Sequence, residues 1–461
     1  MLNKFPKDFL WGGSTSAYQF EGGWNSDGKG PSTQDVRTNI PEGTTDFKVA
    51  SDHYHNWKED VDLMAEMGFK SYRFSISWSR ILPKGYGEIN EKGVEFYNNL
   101  INYLLEKNIE PIITMYHFDL PNALEEKGGW LNRDIISYFE NYSKVLFERF
   151  GDRVKKWLTI NEQNVMIIFG EVVGISFGDK ENRLKNTYQV NHHMMMASAK
   201  AMIACHEMIK DAKIGPAPNI NAIYPNSNHP EDQIAAFNMS VFRNWFYLDC
   251  YVKGIYNPLV IKYLEKNNAM FSIEEGDLNT LKHAKPDFIA FNYYSSATAA
   301  ISQEDDDFNE LTNQQKLRSI VGVYKQIKNP NLQKTEFGWE IDPVGLRSTL
   351  REIYDRYNLP LLITENGIGG YDELIDGQVN DDYRINYYEK HIEQMLLAIN
   401  DGVELMGYNP WSAIDLVSTH EGIKKRYGFV YVDRTDDDIK ECKRYRKKSF
   451  FWYKEFIKNT K

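Results

Sequence analysis

The chain is poor in cysteine, has no long apolar run and carries no excess of basic residues. Its 461 residues include three cysteines, Cys205, Cys250 and Cys442. They form no CxxC pair, which argues against a disulfide framework and fits a reducing compartment. No apolar run approaches the roughly 18 residues that a membrane-spanning helix needs. The 54 Lys and Arg are outnumbered by 65 Asp and Glu, for a net charge of -11, which argues against a nucleic-acid or anionic-membrane binder.

Signatures of nucleotide binding and of secretion are also missing. Neither a GxGxxG nor a P-loop pattern is present, so no nucleotide cofactor is expected. The first residues lack the apolar stretch of a secretory signal, and a cytoplasmic location is therefore expected. Aromatic residues, in contrast, make up 14% of the chain. Carbohydrate-binding clefts use such rings to stack on sugars, although large α/β cores give a similar composition.

The chain alternates short apolar runs with helical patterns. Its length allows about three domains or one large barrel, and no Gly/Ser- or Pro-rich linker divides it. The eight predicted strands are Phe9–Gly13, Ser71–Trp78, Pro111–His117, Val154–Asn161, Lys213–Ala217, Asp287–Tyr293, Pro360–Glu365 and Glu404–Trp411. Strands that alternate with helices form parallel βαβ units. We therefore predict an α/β fold, a (β/α)8 TIM barrel, with residues 1–461 as a single catalytic domain.

Two stretches do not fit this alternation. The segment Ala300–Glu340 is too long for an ordinary connection, and we predict a loop excursion over the barrel mouth. The basic run Lys443–Lys448 is interpreted as the solvated face of a C-terminal helix.

Polar residues follow nearly every predicted strand, where barrel enzymes carry their catalytic groups. The most informative are Glu162 and Glu365, each beside an Asn at a strand end. One such Glu is usually a loop or capping carboxylate. Two at one barrel mouth can divide the acid and base roles that glycosidic bond cleavage requires.

The motifs around these residues resemble those of glycoside hydrolase family 1. They occur in the same order as in that family and extend across essentially the whole chain. The matching segments are Leu10–Gly22, Tyr116–Pro121 (YHFDLP), Thr159–Glu162 (TINE), Asn292–Tyr294, Ile363–Gly367 (ITENG) and Lys425–Gly428. The resemblance implies a (β/α)8 barrel, a hydrolysis that retains anomeric configuration, and no metal or organic cofactor.

The resemblance also implies roles for the catalytic residues. Glu365 is the expected nucleophile, and Glu162 the expected general acid and base. Asn161 is expected to bind the sugar 2-hydroxyl. Tyr294 and Arg73 are expected to keep Glu365 ionised, because a donor and a nearby cation favour a carboxylate.

Further residues match sugar-binding positions of the family. Gln19 and His117 are expected to bind hydroxyls of the glycone, and Trp411 to stack on it. Asn292 supports the acid/base, and Trp339 flanks the leaving-group site. From the residues alone, Trp411 could instead pack the barrel and His117 could be a structural histidine.

The segment after the eighth strand departs from ordinary β-glucosidases of the family. Ser418 stands where they carry a Glu that binds the sugar 4- and 6-hydroxyls, and Lys425 and Tyr427 follow. This spacing resembles the phosphate-binding motif of the 6-phospho-β-glycosidases. A Glu would repel a phosphate on C6, whereas a Ser, a Lys and a Tyr offer donors and a cation. Lys425 could otherwise belong to a basic surface run.

These observations predict a 6-phospho-β-glucosidase that releases glucose 6-phosphate from phosphorylated cellobiose or aryl glucosides. Family members specific for 6-phosphogalactosides tend to carry Trp after the phosphate-site Ser, whereas this chain has Thr419. A 6-phospho-β-galactosidase, a plain β-glucosidase and a non-catalytic sugar-binding barrel remain as alternatives. The expected partner is the phosphorylated substrate, with no nucleic acid or membrane; the sequence leaves the oligomeric state open.

Overall fold

Eight parallel strands form the centre of the protein. The computed structural model describes residues 4–309, 311 and 313–460. The strands are β1 (Leu10–Ser14), β2 (Ser71–Ser75), β3 (Glu110–Tyr116), β4 (Lys156–Asn161), β5 (Lys213–Ala217), β6 (Ile289–Asn292), β7 (Leu361–Glu365) and β8 (Leu405–Tyr408). Their order in the sheet is β5-β4-β3-β2-β1-β8-β7-β6.

The two ends of this sheet meet. The backbone N–H of Asp287 donates to the carbonyl of Ile214 at 2.9 Å, and that of Asn292 donates to Pro218 at 2.9 Å. These bonds bring β6 against β5 and close the ring. The predicted (β/α)8 barrel and all eight of its strands are therefore confirmed, with ends that shift by a few residues.

Helices connect and surround the strands. Their ranges are Ala17–Phe20, His53–Met67, Trp78–Ile81, Glu91–Glu106, Asn122–Glu125, Gly129–Leu131, Ile135–Phe150, Gln163–Phe169, Gly170–Val173, Arg183–Met208, Pro230–Ser240, Val241–Trp245, Phe246–Lys253, Pro258–Lys266, Asp277–His283, Asn313–Leu317, Pro343–Tyr357, Asp382–Asn400 and Lys448–Asn459. A typical outer helix, Glu91–Glu106, buries Val94, Tyr97, Ile101 and Leu104, a helical spacing that turns one apolar stripe toward the barrel. None of the described helices is both long and apolar enough to cross a membrane.

The barrel interior is packed with side chains. A separate apolar cluster contains residues of five neighbouring strands or their edges: Ile112, Leu158, Ala217, Phe288, Ala290 and Leu362. The larger apolar cluster includes residues of the barrel strands and of the helices around them. Access to the interior is therefore restricted to the carboxyl ends of the strands, where the connecting loops are longest.

The segment Ala300–Glu340 reaches the barrel mouth, as predicted, but it is not structureless. Strands Ala297–Ala300 and Lys325–Ile327 pair antiparallel, and Ile223–Pro225 joins the first of them to form a small three-stranded sheet. This sheet holds the helix Asn313–Leu317 beside the opening.

The interpretation of Lys443–Lys448 as a solvated helix face is wrong in its secondary structure and wrong for Arg444 and Lys447, whereas the side chains of Lys443, Arg446 and Lys448 are exposed. Arg444–Arg446 forms a strand that pairs antiparallel with Val430–Val432, and the C-terminal helix begins at Lys448. Arg444 contacts Asp60 at 2.8 Å, and Lys447 contacts Asp415 at 2.7 Å with both side chains fully buried. Arg444 and Lys447 therefore form buried ion pairs with residues that lie far away in the sequence.

Candidate active site

A cavity of about 380 Å³ opens at the carboxyl ends of the strands. Ten of the predicted site residues line it: Gln19, His117, Glu162, Tyr294, Trp339, Glu365, Trp411, Ser418, Lys425 and Tyr427. Arg73, Asn161 and Asn292 are fully buried and are hydrogen-bonded to residues of this lining. The structure therefore brings all the predicted site residues to one place.

Glu365 ends β7 and is 3% exposed. Its Oε1 accepts a hydrogen bond from Arg73 Nη1 at 2.5 Å, and its Oε2 accepts one from the Tyr294 hydroxyl at 2.6 Å. Burial raises the pKa of Glu365 to about 7, Arg73 and Tyr294 lower it, and the charge of Glu162 adds to the rise. Arg73 and Tyr294 thus favour the ionised form, as expected, but burial outweighs them.

Glu162 follows β4 directly and begins the turn into the helix Gln163–Phe169. Its backbone lies in the left-handed region, with φ of 45°, which bends the chain sharply between strand and helix. Its Oε1 accepts hydrogen bonds from Asn219 Nδ2 at 2.7 Å and Asn292 Nδ2 at 3.0 Å. Within the described residues no hydrogen bond involves Oε2, so this oxygen is available to a ligand.

A continuous line of hydrogen bonds joins the two carboxylates. Asn292 Nδ2 donates to Glu162 and also to Asn161 Oδ1, at 3.1 Å. Arg73 Nη2 donates to the same Asn161 oxygen at 2.6 Å, while its Nη1 holds Glu365. Three strand residues, Arg73 of β2, Asn161 of β4 and Asn292 of β6, therefore fix the relative position of the two carboxylates.

His117 and Trp411 form one wall of the cavity. Their rings stack with centroids 5.8 Å apart and planes 22° apart. Burial and the charge of Arg73 hold the pKa of His117 well below its usual value, so the ring is neutral. Its Nε2 lies 3.1 Å from Asn161 Nδ2, and its buried Nδ1 has no hydrogen-bond partner among the described residues.

The side-chain amide of Gln19 is held by two hydrogen bonds within the protein. Its Nε2 donates to the Val417 carbonyl at 2.8 Å, and its Oε1 accepts from the Ser16 hydroxyl at 2.8 Å. Both contacts fix the amide next to Ser418, so the predicted hydroxyl-binding residue and the predicted phosphate site adjoin.

Lys425 is a buried cation in the cavity wall, only 3% exposed. Its Nζ lies 3.9 Å from the ring centroid of Trp339 and 4.4 Å from that of Phe337. No carboxylate of the described residues lies within 4.0 Å of it. Burial lowers its pKa to about 8, and Glu421 acts weakly in the other direction. Lys425 therefore does not belong to a solvated surface run.

Ser418 and Tyr427 lie next to each other beside this lysine. The Ser418 hydroxyl contacts that of Tyr427, and burial raises the pKa of Tyr427 far above its usual value. Both groups keep their protons near neutral pH and can donate hydrogen bonds. The three residues together present one cation and two hydroxyl donors at one end of the cavity.

The family model for glycosyl hydrolase family 1 matches residues 1–461. The chain belongs to glycosyl hydrolase family 1. It is 48% identical to an aryl-phospho-β-D-glucosidase of Bacillus subtilis (strain 168), over 99% of this chain and 98% of the relative. It is 44% identical to a 6-phospho-β-glucosidase of Clostridium longisporum, over 98% and 97% of the two chains. The β-glucosidase of Thermotoga maritima in complex with glucoimidazole superposes with a TM-score of 0.88 at 38% identity, and each chain is covered completely.

This family 1 protein also has cavity residues that the sequence reasoning missed. They include Asn219, Arg243, Arg318 and Phe337. Asn219 lies two residues beyond β5, so the rule that catalytic groups follow barrel strands could have found it. Arg243 lies inside a helical segment, and Arg318 and Phe337 belong to the long excursion. No local pattern marks these three.

Proposed function

We propose that this family 1 glycosyl hydrolase is a retaining 6-phospho-β-glucosidase. Full-length similarity to an aryl-phospho-β-D-glucosidase and a 6-phospho-β-glucosidase supports the substrate class. The observation that carries the proposal is the buried lysine at the cavity end, Lys425, which has no carboxylate within 4.0 Å among the described residues. An unpaired buried cation is costly, and a phosphate group on the sugar would offset that cost.

Glu365 acts as the nucleophile. Its ionised carboxylate attacks the anomeric carbon, the bond to the leaving oxygen breaks, and a glycosyl-enzyme forms. Arg73 and Tyr294 hold the two carboxylate oxygens at 2.5 and 2.6 Å, which fixes the orientation before substrate arrives.

Glu162 acts first as general acid and then as general base. Asn219 and Asn292 both donate to Oε1, so Oε2 is the oxygen that carries the proton to the leaving group. After the aglycone departs, the same oxygen removes a proton from the water that attacks the glycosyl-enzyme. The product retains its anomeric configuration because the carbon is inverted twice.

Ser418, Lys425 and Tyr427 bind the phosphate on C6. The ammonium pairs with the phosphate charge, and the two hydroxyl groups donate to its oxygens. Gln19 and His117 bind hydroxyls of the glycone, and Trp411 stacks on its apolar face. Asn161, beside the nucleophile, binds the 2-hydroxyl, an interaction that strengthens in the transition state.

A glucoside is preferred over a galactoside. The hydroxyl of Thr419, the residue after the phosphate-site Ser, contacts the Tyr18 hydroxyl at 2.9 Å. A contact inside the protein leaves this residue little freedom to bind an axial 4-hydroxyl.

A plain β-glucosidase is the remaining candidate function. The close structural likeness to the β-glucosidase of Thermotoga maritima favours it.

The test compares kcat/KM of the wild-type enzyme on three nitrophenyl substrates. These are the 6-phospho-β-glucoside, the 6-phospho-β-galactoside and the unphosphorylated β-glucoside. We expect the phosphoglucoside to be hydrolysed best. Faster hydrolysis of the unphosphorylated sugar would contradict the phosphate site, whereas faster hydrolysis of the phosphogalactoside would contradict only the epimer preference.

A further inference from the structure

Two arginines lie in the cavity on the side of Glu162. Arg243 Nη2 donates to Asn219 Oδ1 at 2.6 Å, and Asn219 Nδ2 in turn donates to Glu162 Oε1 at 2.7 Å. Arg318 follows the short helix Asn313–Leu317 and lines the same cavity. Because the general acid faces the leaving group, these arginines mark the leaving-group end of the cavity.

The two arginines differ in how many of their side-chain N–H groups are hydrogen-bonded within the protein. Arg243 is 5% exposed, and its two terminal nitrogens donate to the backbone and side-chain oxygens of Asn219, at 3.0 and 2.6 Å. Arg318 has no such partner: its Nε is buried without a hydrogen bond, and no carboxylate of the described residues lies within 4.0 Å of it. Glu340, the acid that acts on Arg318 at longer range, accepts a hydrogen bond from the Asn329 backbone at 2.9 Å. The guanidinium of Arg318 is therefore a cation with unfilled donors.

One side of Arg318 faces an aromatic ring. Its guanidinium lies 5.0 Å from the ring centroid of Phe169. The cavity lining also includes Val165, Val172 and Val173, which lie close to Phe169 in the sequence, and Leu317, which precedes Arg318. Burial and the neighbouring charge of Arg243 lower the pKa of Arg318 to about 10, so the group is still charged at neutral pH. A site with an apolar wall and one unpaired guanidinium suits a ring that carries an anionic substituent.

We propose that Arg318 recognises the leaving group, and that the preferred aglycone is an aromatic ring bearing a carboxylate. The ring would lie along the apolar wall near Phe169, and the carboxylate would accept paired hydrogen bonds from the guanidinium fork. The charge of Arg243 would add to the attraction without direct contact. This proposal rests on the proposed function, since it deepens the substrate class of the same site.

The experiment measures one ratio in each enzyme. The substrates are the carboxyphenyl and carbamoylphenyl 6-phospho-β-glucosides, in both meta and para series, because the amide matches the carboxylate in shape but lacks its charge. We expect kcat/KM for the better carboxylate isomer to exceed that of its amide by about 10-fold or more in the wild type. Arg318→Gln should bring the ratio close to one, and Arg318→Lys should leave an intermediate value.

A matched control is Arg351→Gln, because Arg351 lies on the outer helix Pro343–Tyr357 with its side chain 49% exposed. This variant should keep the wild-type ratio. A ratio near one in the wild type, or a high ratio that survives Arg318→Gln, would overturn the proposal. Each ratio is taken within one enzyme, so partial misfolding of a variant does not alter it.

The same pairs without phosphate separate this proposal from the proposed function. If the unphosphorylated series is hydrolysed faster, the phosphate site is wrong, but the carboxylate-to-amide ratio still tests Arg318. Dissociation constants of the corresponding thioglycosides, which resist hydrolysis, give the same ratio without turnover. Equal constants for the carboxylate and the amide would also overturn the role of Arg318.

Discussion

Removal of the Lys425 charge is the sharpest test of phosphate recognition. Lys425→Met keeps an unbranched apolar stem against Trp339 and Phe337 but removes the ammonium, and Lys425→Ala removes both. A hydrogen bond to a charged group contributes about 1.5–3 kcal/mol. Because Lys425 is only 3% exposed, solvent screens this contact little. We therefore expect kcat/KM on the phosphorylated glucoside to fall roughly 10- to 150-fold, at 1.36 kcal/mol per decade.

The assay follows the ratio of kcat/KM for the phosphorylated and unphosphorylated nitrophenyl β-glucosides. Effects on the chemical step cancel in this ratio, so it isolates phosphate recognition. The neighbouring Lys424 is exposed, and Lys424→Ala is the matched control, expected to leave the ratio unchanged. If Lys425→Met weakens both substrates equally, or if Lys424→Ala has the same effect, the phosphate-site reasoning is refuted.

The pH dependence of this ratio provides a second readout. The pKa of Lys425 is about 8, and the ammonium is the form that binds phosphate. The cation is therefore present below pH 8 and lost as the pH rises through that value. Above about pH 7 the phosphate itself remains dianionic, since its second pKa is about 6. The ratio should fall between pH 7 and pH 9.5 in the wild type, and a fall of the same size in Lys425→Met would contradict this assignment.

Three further predictions concern the catalytic pair and the phosphate site. Glu365→Gln should abolish turnover, whereas Glu162→Gln should slow hydrolysis most for substrates with poor leaving groups. Azide should restore activity to Glu162→Ala by forming the β-glycosyl azide. An α-glycosyl azide would contradict the roles proposed for the two glutamates. Tyr294→Phe removes a donor to the Glu365 carboxylate and should raise its pKa above about 7, which shifts the acid limb of the kcat/KM profile upward by about one unit; an unchanged limb would argue against this contact. Ser418→Glu places a negative charge beside the phosphate and should shift preference toward unphosphorylated glucosides, as the same substrate ratio would reveal.

The fold was predictable because the barrel depends on local patterns. Each strand is a short apolar run, and outer helices such as Glu91–Glu106 have an apolar stripe. The same reasoning located Glu162 and Glu365, since a parallel barrel collects the carboxyl ends of all its strands on one face. Their exact roles came from the resemblance to the family, because no spacing in the sequence fixes the relation between two side chains about 200 residues apart.

The missed features depend on contacts between distant segments. The basic residues Arg444 and Lys447 appeared to be solvated, but they pair with buried Asp60 and Asp415. Charge composition alone cannot distinguish a solvated run from one whose partners lie elsewhere in the fold. Arg318 was missed for a similar reason: its position over the cavity depends on the small sheet that anchors the excursion. Asn219 is different, because its place after β5 was a usable signal.

The spacing of the phosphate motif has a physical basis in this fold. Lys425 and Tyr427 lie on an extended stretch that pairs with Gly370 through two backbone hydrogen bonds of Arg426, at 2.9 and 3.0 Å. In an extended chain, alternate side chains point to opposite faces. Arg426 therefore points away from the cavity and donates to Asp415 Oδ2, at 3.2 Å, which anchors the stretch from behind. This contact places Lys425 and Tyr427 near Ser418. It does not involve the strand residues that are hydrogen-bonded to the two carboxylates. In the proposed phosphate site, substrate choice at C6 would therefore depend on a loop that can change without disturbing the strand residues around the two carboxylates.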